Sequence, residues 1–261
     1  MKPLAEKLAM FRPYGKRTAF GFIMASLMAD LLDAWPSVYL TLQKRRLRHA
    51  RHRIVESDHR FVIEAFPRSG SSFTHRAFTA ANPQDGQLVA THMHRASQVI
   101  QASRLGVPTL IIVRVPRDAV TSLLALGIEQ ARLPVLARGE AELCLGITLL
   151  RYARFHERIA CVPGVTVAGF DEVTRNMGTV IKRVNAAFGT NFMPFEHTDA
   201  TANDLMKKSK PHVSPNVDRD EIKAILAAAY DSPALLGKRT RADKAYEVMI
   251  ARRDRQWEEG K

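Results

Sequence analysis

Between His59 and Phe188 the apolar positions follow two alternating rhythms. Phe61–Phe66 is almost continuously apolar and reads as a buried parallel strand. A helical stretch over Ser72–Ala81 follows and stops at Asn82-Pro83. Gln87–Thr91 reads as a short second strand, and Ala96–Leu105 as a helix closed by Gly106 and Pro108. Thr109–Val113 is a third strand, apolar after its first residue, followed by helical patterns over Arg117–Leu126 and Ala141–Ile159. Val165–Phe170 is the fourth strand. One helix is predicted over Asp171–Phe188, with Val173, Met177, Val180, Ile181 and Val184 on one stripe. Asp218–Tyr230 and Ala242–Trp257 read as amphipathic helices, and Asp199–Asp204 is polar. Strands alternating with helices predict the α/β class: a single three-layer domain, a central parallel sheet covered on both faces. No internal repeat is present.

The start of the chain breaks this rhythm. Residues 1–57 read as an N-terminal helical and basic segment before an α/β domain over 58–261. Thr18–Leu42 is largely apolar, but Asp30, Asp33 and Pro36 argue against a bilayer span, which needs ~20 mostly apolar residues. No signal-peptide pattern is evident, so a cytoplasmic protein is expected. The run Lys44-Arg-Arg-Leu-Arg-His-Ala-Arg-His-Arg53 is either a solvated basic segment or a peripheral contact with anionic membrane. The whole chain of 261 residues carries a formal charge of +13, which implies anionic partners such as a phosphorylated nucleotide. Nucleic acid is not the expected partner, because no RRM, KH or zinc-finger pattern occurs. Cys144 and Cys161 suggest neither a disulfide framework nor a zinc site.

Candidate chemistry concentrates where strands run into helices. In Phe61-Val-Ile-Glu-Ala-Phe-Pro-Arg-Ser-Gly-Ser-Ser-Phe73 an apolar strand enters a small-residue loop and leaves as a helix. Backbone N–H groups around Ser69, Gly70, Ser71 and Ser72 can converge on a phosphate, with the helix dipole favouring negative charge. Arg68 adds a cation and Gly70 allows close backbone approach. The loop is no Walker A sequence, and an ordinary capped connection would look similar. The second stretch is Leu110-Ile-Ile-Val-Arg-Val-Pro-Arg-Asp-Ala-Val-Thr-Ser122. Arg114 falls at a strand end and Ser122 on the next helix, where the two could grip a second phosphate.

In this order, FPRSGSSF and then RVPRDAVTS, the chain resembles the sulfotransferase superfamily, which uses 3′-phosphoadenosine 5′-phosphosulfate (PAPS). The resemblance covers roughly His59–Phe188. It implies a P-loop-like sulfotransferase fold and transfer of a sulfuryl group to a hydroxyl or amine of an unidentified acceptor, with 3′,5′-adenosine bisphosphate (PAP) as the product nucleotide. It places Arg68, Ser69, Gly70, Ser71, Ser72 and Phe73 on the 5′-phosphosulfate loop, and Arg114 and Ser122 on the 3′-phosphate. Arg68 stands where cytosolic members carry lysine, so the chain looks closer to bacterial and carbohydrate-type branches; Phe73 replaces a frequent tryptophan, which leaves the acceptor open. Gly169-Phe-Asp-Glu-Val replaces the usual YEDL.

Transfer needs a cation beside the departing phosphate and a base for the acceptor proton. Arg68 is the candidate cation. The resemblance puts His92 of Thr91-His92 in the place of the catalytic histidine, and strand alternation would set His94 on the same face. Glu64 is a weaker candidate base, because its position inside a strand suits a buried structural partner. No metal is expected. Lys207, Lys208 and Lys210 fall where family members place a basic loop over the nucleotide. The other reading is a P-loop nucleotide-binding protein of another kind, kinase-like or non-catalytic. It lacks support from a Walker A lysine or a strand-end acidic metal ligand.

Overall fold

A computed structural model describes residues 19–46, 52–130, 133, 136, 138–207 and 217–259. Helices α1 (Ala19–Asp33) and α2 (Pro36–Arg46) come first. The central alternation then runs β1 (Phe61–Ala65), α3 (Ser71–Ala81), β2 (Val89–Thr91), α4 (Ala96–Arg104), β3 (Thr109–Val113), α5 (Pro116–Glu129), α6 (Arg138–Ile159) and β4 (Thr166–Gly169). After β4 come α7 (Phe170–Arg175), α8 (Met177–Phe188), α9 (Asp199–Lys207), α10 (Val217–Tyr230) and α11 (Leu236–Glu259).

The four strands form one parallel sheet in the order β2-β1-β3-β4. Every strand residue is buried, as their near-continuous apolar character requires. Pleating sends alternate side chains to opposite layers. Phe61, Ile63 and Ala65 join Leu110 and Ile112 in a core with Phe73, Phe78, Val173 and Ile181 from α3, α7 and α8. Ile111, Val113 and Val167 face a larger core built with α4, α5, α6, α10 and α11, to which α1 adds Ala19 and Ile23. The result is the expected three-layer α/β architecture. The chain leaves β1 for one side of the sheet (β2) and then returns to the other (β3). The carboxyl ends of β1 and β3 therefore flank a crevice of the kind that takes ligands in open α/β sheets.

Three expectations need correction. The single helix over 171–188 is two, broken at Asn176 (φ −150°, ψ 55°), whose side-chain oxygen accepts from the N–H of Thr179 at 3.4 Å and caps α8. Gln87 and Leu88 belong to a 3₁₀ turn, Asp85–Leu88, so β2 is only Val89–Thr91. The polar Asp199–Asp204 stretch, to which the pattern assigned no element, is helical in α9, with Ala202 and Leu205 packed on the α3 side of the core. The last helix begins at Leu236, earlier than its apolar stripe indicated.

Candidate functional site

The loop from β1 to α3 has an unusual backbone. Arg68 (φ 70°) and Gly70 (φ 93°) are both left-handed, which turns the chain sharply into the start of α3. At Gly70 only glycine fits comfortably, because an added Cβ would lie 3.2 Å from the Phe170 ring. Gly70 is the N-cap, and no side chain caps α3. The first-turn N–H groups of a helix have no intrahelical partner, so this end presents donors toward the crevice. Ser69 is wholly buried, and its hydroxyl has no hydrogen-bond partner. An uncompensated buried hydroxyl costs about 1–3 kcal/mol, and a ligand oxygen would satisfy it.

Residues far apart in sequence meet here. Arg68 donates from Nε to Ser122 Oγ at 3.2 Å, and Arg114 donates from Nη1 to the Arg68 carbonyl at 2.8 Å. The Arg114 guanidinium lies 4.1 Å from the centre of the Phe170 ring, and its buried Nε has no hydrogen-bond partner. The hydroxyl of Tyr152, a fully buried core residue, donates to the Arg114 carbonyl at 2.7 Å and fixes the end of β3. Phe170 and Tyr152 are contributors that sequence reasoning did not single out. The position of Phe170 at the end of β4 was the available signal, since strand ends line the crevice. Phe73 is buried on the core side of α3, its ring 5.7 Å from that of His197.

The histidines arrive differently from the expected alternation. The strand ends at Thr91, and His92 (φ 66°) and His94 (φ 54°) are both left-handed. Among the described residues, Arg68, His92 and His94 are the non-glycine positions with positive φ. Each such residue costs about 1–3 kcal/mol and persists where its surroundings over-determine it, commonly at active sites. Glu64 supplies much of that determination. Its fully buried carboxyl accepts the N–H of Met93 at 2.8 Å and that of His94 at 2.9 Å. Burial pushes this carboxyl up to about 8, against the pull of those N–H groups. Its place below the loop makes it a holder of the histidines rather than a group facing the crevice.

The ring of His94 is set by the backbone. A carbonyl can only accept, so His94 donates from Nδ1 to Ala65 O at 2.8 Å, leaving Nε2 as the acceptor nitrogen. Burial lowers its pKa to about 4, so it is neutral at physiological pH. His92 Nε2 lies 3.0 Å from Ser72 Oγ, linking it to the anion loop, and the two imidazole centroids are 5.8 Å apart. His94 also lines a cavity of about 470 Å³ with Phe66, Phe155, Arg95 and Arg151. In its wall Asp30 binds Arg95 at 2.8 Å and Asp33 binds Arg158 at 2.6 Å. The α1 acids therefore have partners from α6 and from the loop before α4.

The structure thus brings Arg68, Ser69, Gly70, Ser72, Arg114, Ser122, His92 and His94 to one edge of the sheet, with Ser71 buried at the start of α3. Lys207 ends α9, but its side chain lies outside the described residues, as do Lys208 and Lys210. Among the described residues no group of three or more His, Cys, Asp or Glu side chains could hold a metal ion.

No protein-family model and no curated protein matches the chain. Among solved structures, it is similar to mouse sulfotransferase SULT7A1 complexed with PAP, at 12% identity and a TM-score of 0.41, with 79% of this chain and 87% of that chain covered. A likeness this distant assigns neither family nor activity.

Proposed function

We propose that the protein is a sulfotransferase that moves a sulfuryl group from PAPS to a hydroxyl or amine of an acceptor. The observation that carries this reading is the meeting of Arg68, Arg114 and Ser122 around the β1–β3 crevice, from two stretches that resemble the PAPS-binding signatures in order and spacing. The orphaned Ser69 hydroxyl and Arg114 Nε fit a nucleotide with two separated phosphate groups. The amides at the start of α3, with Ser69 and Ser72, would hold the 5′-phosphosulfate, and Arg114 with Ser122 the 3′-phosphate.

The donor supplies a sulfuryl group on a good phosphate leaving group. His92 takes the acceptor proton at Nε2 as the acceptor oxygen or nitrogen bonds to sulfur. Its contact with Ser72 supports this role, because it ties the base to the loop beside the reacting group. Arg68 balances the charge left on the departing phosphate. Neutral His94, in the wall of the cavity, orients the acceptor through Nε2. Glu64 keeps both histidines in place.

Calorimetric titration with PAP and with AMP tests the reading. Tight binding of PAP and weak binding of AMP is expected, and Arg114→Ala should erase most of that difference. Equal affinity of the parent protein for the two nucleotides would remove the proposal. A preference for Mg-ATP would favour a kinase-like nucleotide-binding protein.

A further inference from the structure

Helices α1 and α2 expose an apolar stripe that the core does not use. Phe20 is 70% exposed, and Met24, Met28 and Leu31 follow it at spacings of four, four and three on one face of α1. Trp35 (56% exposed) and Val38 continue the series into α2. Contiguous exposed apolar surface of this kind marks an interaction site rather than ordinary surface.

The charges around the stripe identify the partner. Residues 19–46 contain two acids, Asp30 and Asp33, and both point inward, 10% and 7% exposed, paired with Arg95 and Arg158. The outer face therefore presents no carboxylate. The last turn of α2 carries Lys44, Arg45 and Arg46; Lys44 is paired with Glu56 at 2.8 Å, and Arg45 and Arg46 are exposed. An apolar stripe with a Trp, on helices whose own acids point inward and whose end carries two exposed arginines, suits the interface of an anionic bilayer. Among the described residues no helix is long and apolar enough to cross one.

We infer that α1 and α2 form a docking face that seats the protein on an anionic lipid membrane. Leu31 belongs both to the stripe and to the wall of the cavity that holds His94. That cavity carries four arginines against two aspartates beside apolar Leu27, Phe66 and Phe155. On the transferase reading above, this arrangement selects an acceptor that is itself an amphiphile with an anionic head, drawn from the docked surface.

Flotation of the full chain with vesicles tests the docking. The protein should float with phosphatidylcholine–phosphatidylglycerol vesicles and not with phosphatidylcholine alone. Phe20→Ser with Trp35→Ser should weaken flotation at least about tenfold, since these side chains supply the apolar contact. Arg45→Glu with Arg46→Glu should weaken it by a similar factor and remove much of its salt dependence. Both pairs are exposed, so circular dichroism and PAP affinity should stay unchanged. In a Trp257→Phe background, Trp35 emission should shift to the blue only with anionic vesicles. No flotation by the parent protein, or equal flotation by parent and Phe20/Trp35 variant, overturns the inference. So does sedimentation showing a self-associated parent that the Phe20/Trp35 change makes monomeric, because a second copy then covers the face. PAP titration of the same preparations separates these outcomes from failure of the transferase reading.

Discussion

Arg68 donates from Nε to Ser122 Oγ across 3.2 Å, joining the loop after β1 to α5 over 54 positions of sequence. The contact joins the two stretches proposed to bind anions. On the proposed function, a ligand held by one loop would be sensed by the other through this contact.

That coupling is measurable. Ser122→Ala should weaken PAP binding about 5- to 15-fold by removing a hydroxyl from an arginine–phosphate cluster. In a double-mutant cycle with Arg68→Ala, the two losses should fall short of adding by at least about 0.5 kcal/mol. Strict additivity in calorimetric titrations would mean that the contact is incidental.

The histidines should separate by kinetics. With a true acceptor, His92→Ala should lower turnover about 100- to 10,000-fold while PAP affinity changes little. His94→Ala should act mainly on the KM of the acceptor, because His94 lines the cavity and its neutral ring is a weak base. The reverse pattern would exchange their roles.

Glu64 predicts a pH dependence of stability. Its folded-state pKa, about 8, lies above the ordinary value of 4.5, so the native state holds a proton that the unfolded chain releases. Stability from this group is full below about 4.5 and is lost as pH rises through about 8. Glu64→Gln should flatten that decline, so its melting temperature should gain on the parent between pH 6 and 9. If instead the variant loses stability equally at all pH values, the carboxylate is charged and its hydrogen bonds dominate.

His94 and His156 predict the opposite arm. Burial lowers both from 6.5 to about 4, so the folded protein resists protonation that the unfolded chain accepts. Their contribution is full above about 6.5 and is lost as pH falls toward about 4. A thermal-melt series should show this loss, and His156→Phe should reduce its slope.

Gly70→Ala should destabilise the protein by about 1–2 kcal/mol in urea denaturation, the cost of a side chain in the left-handed region. The displaced Phe170 ring should also disturb Arg114, so PAP affinity should fall with it. A neutral effect on both would show that the loop relaxes freely.

Local sequence already encodes the strands, the helices that follow them and the small-residue loop at the end of β1. These depend on local periodicity, on the backbone freedom of Gly70 and on punctuation by residues such as Pro83 and Pro116. It also made Arg68, Arg114 and Ser122 legible as anion-binding candidates, because strand ends in a parallel sheet share one edge. Tertiary structure decided what periodicity does not encode. Strand alternation at His92–His94 gave way to a left-handed loop because the Glu64 carboxyl, from the neighbouring strand, claims its N–H groups. Asp30 and Asp33 were legible as obstacles to a membrane span. Their pairing with Arg95 and Arg158, and hence the carboxylate-free outer face of α1, required helix packing across 65 and 125 positions. The physical reason is common to all of these. Nearest-neighbour sterics and helical spacing act within a few residues, whereas buried charges choose partners according to which surfaces the core brings together.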